Sequence, residues 1–179
     1  MPSDPAVAQQ AAVAAVTVDF GVGRGSEAFR TSGWSISEPG ETWTVATEAR
    51  LALPAPQRPA TYVMNLRLRP MLAPPRVTSQ RLLVTVNGSP VGDFTIDGRA
   101  IRTCLVPWEA IAGHRQLQIV FHLPGAARPL DLGIGKDDRL LGAAFQSLQL
   151  YPDVFEAWQP DAGLHGGEPV PVDMATSAT

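Results

Sequence analysis

One cysteine, Cys104, stands in the 179 residues, so no intramolecular disulfide can form. It lies in the apolar stretch 101–106, where a buried, inert thiol is expected rather than a nucleophile. Charge is also scarce, at 17% of residues, and the net charge of −3 comes from arginines scattered among acids. Phosphate neutralisation needs a concentrated basic face, so nucleic acid is excluded as the main partner. No run has the length and apolarity of a membrane span. The alanine-rich run 6–16 has no positive charge ahead of it and lacks the leucines of a secretion signal. The sequence as it stands is expected to be cytoplasmic, or to be a piece of something larger.

Catalytic patterns are missing too. Ser35 sits in Gly33-Trp34-Ser35-Ile36-Ser37 rather than in a G-x-S-x-G elbow, and no histidine has a companion that suggests a triad. His114 and His122 are without a third zinc ligand. The run Gly21-Val22-Gly23-Arg24-Gly25 looks like a dinucleotide loop, but its third glycine is misplaced and no amphipathic helix follows, so it is read as a loop. Asp137 and Asp138 are adjacent and would point apart on a strand, unlike facing glycosidase carboxylates. The chain is not expected to be an enzyme.

What is present is punctuation. The 16 glycines and 17 prolines fall between short apolar runs, the pattern of many short strands joined by turns. Strands are predicted over 16–20, 42–45, 49–53, 61–69, 81–86, 91–96, 100–106, 115–123 and 141–151. The clearest is 61–69, where Tyr62, Met64, Leu66 and Leu68 alternate with Asn65, Arg67 and Arg69, leaving one polar face for solvent or a ligand. Asn87-Gly88 predicts a type I′ hairpin turn, which demotes the glycosylation match Asn87-Gly88-Ser89. Asp97-Gly98 predicts a second turn. In the last strand the apolar phase moves between Phe145 and Leu148, so a bulge is expected near Gln146-Ser147. Residues 108–111 predict one helical turn.

Together these give an all-β, two-sheet antiparallel β-sandwich of jelly-roll type over 16–151. A short N-terminal helix, started by Ser3 or Asp4 with Pro5, is expected within 1–15. A Pro/Gly-rich tail over 152–179, with Phe155 and Trp158 as possible anchors, lies on the domain or is disordered.

Two stretches could carry recognition. Trp34 and Trp43 bracket Glu38 and Glu41, forming either a sugar-stacking platform with carboxylates to fix hydroxyls, or a core plug at one end of the sandwich. In 131–142, Asp131, Asp137 and Asp138 offer oxygens to calcium, but without EF-hand spacing. The competing reading is a salt-bridged turn in which Arg139 pairs with Glu38 or an aspartate.

These short motifs resemble a domain of bacterial surface-polysaccharide assembly that accompanies glycosyltransferases and also occurs alone. The shared residues are Gly33-Trp34-Ser35, Glu38, Trp43-Thr44 and the strand to Leu53, then Val84-Thr85-Val86-Asn87-Gly88, Pro107, Pro129 and Asp138-Arg139-Leu140-Leu141-Gly142, across about 17–151. The resemblance implies a β-sandwich like those of carbohydrate-binding modules, without known catalysis of its own; calcium aside, no cofactor is expected. It marks Trp34, Glu38, Trp43, Asp138 and Arg139 as ligand-binding or as architectural ties between the first strands and the last. The expected partner is a polysaccharide or oligosaccharide, with a glycosyltransferase or other protein subunit beside it. The alternative is an assembly protein that pairs through a sheet face or the tail.

Overall fold

The computed structural model describes residues 16–153. The expected N-terminal helix and the tail from 154 onward, with Phe155 and Trp158, lie outside those residues. Ten strands are formed: β1 (Val16–Asp19), β2 (Arg30–Ser32), β3 (Thr42–Trp43), β4 (Glu48–Pro54), β5 (Tyr62–Pro70), β6 (Gln80–Val86), β7 (Ser89–Ile96), β8 (Ala100–Val106), β9 (Gln116–His122) and β10 (Ala143–Pro152). Every pairing is antiparallel. One sheet runs β1-β10-β5-β8, with β3 also paired to β10; the other runs β2-β4-β9-β6-β7. The predicted all-β sandwich is therefore the fold.

Period-two patterning places the core. Tyr62, Met64, Leu66 and Leu68 of β5 are buried against Leu51, Leu53, Leu82, Val84, Leu117, Ile119 and Phe121 of the other sheet. Each such side chain contributes about 1.5–3 kcal/mol by leaving water. The β10 register shifts between Phe145 and Ser147, where the phase change predicted a bulge. Asn87 (φ 49°) and Gly88 (φ 83°) close the β6–β7 hairpin with the two positive φ angles a type I′ turn requires. The bend at Asp97-Gly98 joins strands of different sheets: β7 pairs with β6 and β8 with β5. Trp108–Ala110 forms one 3-10 turn behind Pro107.

Three details differ from expectation. β2 was not foreseen; three residues on a sheet edge, with Thr31 and Ser32 exposed, give no alternating apolar signal. The strand predicted over 42–45 shortens to two residues, with Thr44 bridging Trp34 instead. The last strand continues to Pro152, opposite Tyr62, one residue into the expected tail.

Candidate functional site

Trp34, Trp43, Glu38, Glu41 and Arg139 gather at one end of the sandwich, where most of them are bound to their neighbours, while Thr85, Asn87 and Gly88 of the shared motifs lie elsewhere, on the second sheet. Trp34 lies half-buried, stacked on Phe20 (centroids 5.1 Å apart) and edge-on to Phe145 (5.3 Å) and Phe121 (6.0 Å). Its Nε1 donates to the Arg50 carbonyl at 2.8 Å, so its polar handle is also engaged. Trp43 is 7% exposed and packs with Met71, Leu141 and Ala144. The Arg69 guanidinium covers its ring, 4.5 Å from the centroid. Arg69 in turn grips Glu41 through Nε (3.0 Å to Oε2) and Nη2. That hydrogen bonding holds the Glu41 carboxyl below its ordinary range despite burial.

Trp43 is placed as a core plug, whereas Trp34 packs one face on the core and also lines a hollow of about 250 Å³ with Arg30, Thr31 and Ser35. The glycines show the same crowding. A Cβ on Gly33 (φ 79°) would lie 2.1 Å from the Glu48 carbonyl oxygen. One on Gly142 would lie 2.9 Å from both Leu123 Cβ and Thr44 Oγ1, the hydroxyl that accepts from the Ala143 amide at 3.0 Å.

Arg139 makes both partnerships foreseen for it. Its Nη1 donates to Glu38 Oε1 at 3.2 Å, across 101 residues of sequence, while Nε and Nη2 hold Asp137 at 3.0 and 2.6 Å. Hydrogen bonding from Arg139 lowers the Asp137 carboxyl, and Asp137 above all raises Arg139. The loop before β10 is thus tied to the turn between Glu38 and Glu41, whose backbones exchange two hydrogen bonds. Both Asp137 oxygens face the guanidinium, so a cation would have to displace Arg139. Asp131 and Asp138 are exposed and apart from that grip, and no cluster of three metal-ligating side chains occurs among the described residues. Asp138 lies exposed beside the tie. Cys104 is buried, and desolvation pushes its thiol up to about 12.

A different region holds the larger open space. On the outer face of the second sheet, two depressions of about 710 and 480 Å³ meet at Thr85 and His122. Strand register builds them. One row across β4, β9, β6 and β7 reads Glu48, His122, Leu83, Asp93; the next reads Arg50, Val120, Thr85, Pro90. Leu83, Val120, Pro90 and Pro124 make an apolar floor and rim, and Thr47, Thr85, Gln118, His122 and Arg50 supply polar groups around it. At about 4.8 Å per strand, this groove crosses roughly 14 Å of sheet. Its ends are charged: Arg81 holds Asp93 by two bonds (3.0 and 2.7 Å), and Glu48 holds Arg50 (2.6 Å) with His122 Nδ1 3.3 Å away.

None of the residues singled out from sequence as ligand-binding lines the groove. The available signal was two apolar residues, Leu83 and Val120, in the outward phase of their strands. The polar face foreseen on β5 is a third, smaller place: Asn65 donates to the Tyr151 hydroxyl (2.9 Å) and accepts from Thr103 (2.7 Å), beside a 230 Å³ hollow lined by Arg67 and Gln149.

No family model and no curated protein matches the chain. Among solved structures it is similar to the CBM36-1 domain of a multidomain xylanase from the hindgut metagenome of Trinervitermes trinervoides, with 13% identity over 78% of this chain and 98% of that one and a TM-score of 0.49. It is also similar to the C-terminal CBM6 of LamC from Zobellia galactanivorans (12% identity, 77% and 99% coverage, TM-score 0.44). A carbohydrate-binding module CBM36 in complex with calcium and xylotriose gives 11% identity, 75% and 98% coverage and a TM-score of 0.43. No helix among the described residues is long and apolar enough to cross a membrane.

Proposed function

We propose that this domain is a non-catalytic glycan-binding module of bacterial exopolysaccharide or cell-surface polysaccharide biology, and that the glycan lies in the groove across β4, β9, β6 and β7. The observation that carries this is the lining. A sugar presents C–H faces and a fringe of hydroxyls, and the groove answers with an apolar floor and hydrogen-bonding walls of threonine, glutamine, histidine and arginine. The polysaccharide setting rests on the shared motifs, which also make a glycosyltransferase the natural protein neighbour. Binding without bond-making follows from where the acids stand. Glu48 and Asp93 stand at opposite ends of the groove, three strand spacings of backbone apart. Each is also held by an arginine.

The test is a bacterial glycan array followed by calorimetry on any binder, with Thr85→Glu as the control that places a longer side chain across the groove floor. Wild type should bind with micromolar to millimolar affinity and the variant should not. Failure of every glycan to bind sinks the proposal.

A second reading has an observation of its own. β8 pairs only with β5 among the described strands, and its outward Ile101 and Leu105 are 54% and 57% exposed. Such an edge suits pairing with another protein, as an assembly component would require. Light scattering on wild type and on Ile101→Lys/Leu105→Lys decides it: a monomer in both, with no partner lost, removes this reading.

A further inference from the structure

The two halves of the groove differ in charge, and from that difference, building on the glycan-binding reading, we propose that the polysaccharide is acidic. A negatively charged sugar residue sits in the half over Val120. That half is lined by Arg50, His114 and His122 together with Thr85, Asn87 and Gln118, and by no carboxylate. The other half, over Leu83, is lined by Asp93 and otherwise by apolar and hydroxyl-bearing groups, and so takes an uncharged sugar.

Register explains why the basic half is hollow. Val120, 8% exposed, is the floor; Arg50 stands across from it on one side and Thr85 on the other. Gln118 precedes it on β9, His122 follows it, and His114 reaches in from the loop before the strand. Long polar side chains around a short apolar one leave a basin with its donors on the rim.

Glu48 is the acid nearest to these bases, and it orients them. Its Oε1 takes Nε and Nη2 of Arg50, each at 2.6 Å, and its Oε2 faces Nδ1 of His122 at 3.3 Å. Arg50 Nη1 and His122 Nε2 have no hydrogen-bond partner among the described residues. A guanidinium fixed along one edge keeps Nη1 to donate to an incoming anion, with little rotamer freedom left to lose. Asn87 adds shape rather than donors: its amide is committed to the Ala110 carbonyl and the Gln118 amide, both at 2.8 Å. An ionised acceptor makes stronger hydrogen bonds to such groups than a neutral hydroxyl does. The chain's overall net charge of −3 would repel such a ligand weakly, so the attraction has to be local.

The test takes whichever bacterial polysaccharide binds on an array of neutral and acidic preparations. Its affinity is then measured by calorimetry before and after reduction of uronate carboxyls to alcohols, and before and after enzymatic dephosphorylation. One of these treatments should weaken binding about tenfold or more at low salt, with the gap narrowing as salt rises. Which treatment does so tells carboxylate from phosphate. Arg50→Gln should abolish the difference between native and treated glycan and Arg50→Lys should restore part of it; the side chain is exposed, so thermal melts of both should match wild type. Unchanged affinity after both treatments overturns the acidic assignment and leaves glycan binding standing. Binding to no preparation at all overturns both.

Discussion

The motif end and the groove spend their polar side chains in opposite ways. At the end built from Trp34, Trp43, Glu38, Glu41, Arg69 and Arg139, every charged group has an opposite charge and each indole has a packed or covered face. In the groove Arg50 and Arg81 are also held by acids, but the floor is apolar and Thr85, Gln118 and His122 line it. Large aromatics and long-range ion pairs are what a sandwich needs where its first and last strands must be held together. A flat sheet face needs none of them, so it is free to take a ligand. Trp43, Glu38 and Arg139, which stand out in the sequence, are bound to their neighbours in the fold.

Breaking the motif end should cost stability first. Gly33→Ala has the largest expected effect: positive φ is combined with a 2.1 Å approach to the Glu48 carbonyl, and neither partner is a movable side-chain tip. A loss of about 3 kcal/mol or more is expected, a large part of the stability of a single domain. Loss of the cooperative transition in urea would record it, and Cys104 gives an independent signal, since a buried thiol pushed up to about 12 labels only on unfolding. Next comes Trp34→Ala, which removes the ring shared by Phe20, Phe121 and Phe145; about 3 kcal/mol is expected for a half-buried tryptophan. If either variant melts like wild type, the motif end is not the architectural half of the comparison.

The Glu41–Arg69 pair gives a smaller effect with a pH signature. Glu41 is mostly buried and its carboxyl is lowered by the Arg69 hydrogen bonds. A lowered folded-state pKa contributes stability above the unfolded value of about 4.3 and loses it as pH falls through the folded value. Glu41→Gln should therefore cost about 1–2 kcal/mol at pH 7, and the gap from wild type should close in acid, below about pH 4. A gap that is the same at pH 7 and pH 3 would mean that the pair contributes packing rather than charge.

Much of the fold was legible because core and solvent impose a period of two that survives in any strand buried on one face. β5 is the plainest case, and the phase slip from Phe145 to Leu148 even located the bulge. Local turn chemistry was legible in Asn87-Gly88 for the same reason: few residues accept two positive φ angles in succession. The tie from Arg139 to Glu38 and Asp137 could be named because a lone guanidinium among acids has few other uses. Its neighbour, Glu41 with Arg69, went unseen, since Arg69 reads as one more polar residue on the alternating face of β5. The groove was hidden more deeply. Arg50, Val120, Thr85 and Pro90 come from four strands and become neighbours only when β4, β9, β6 and β7 take their register. A pattern read along one chain does not contain that order.

The sharpest separation comes from the smallest stability change. Thr85→Glu and His122→Ala lie on an outer sheet face, where substitutions normally shift stability by no more than about 0.5 kcal/mol. Both should melt with wild type while losing glycan affinity. Asp138→Ala is the matching change at the other end, at an exposed residue beside the Arg139 tie, and it too should leave stability alone. If the groove controls the ligand, Asp138→Ala binds like wild type. If instead Asp138→Ala loses the glycan and Thr85→Glu keeps it, the ligand lies over the motif loops, and the acids and arginine marked there by resemblance are contacts rather than ties. Calorimetry on these three variants, with matched melts, distinguishes the two arrangements without any residue that the core requires.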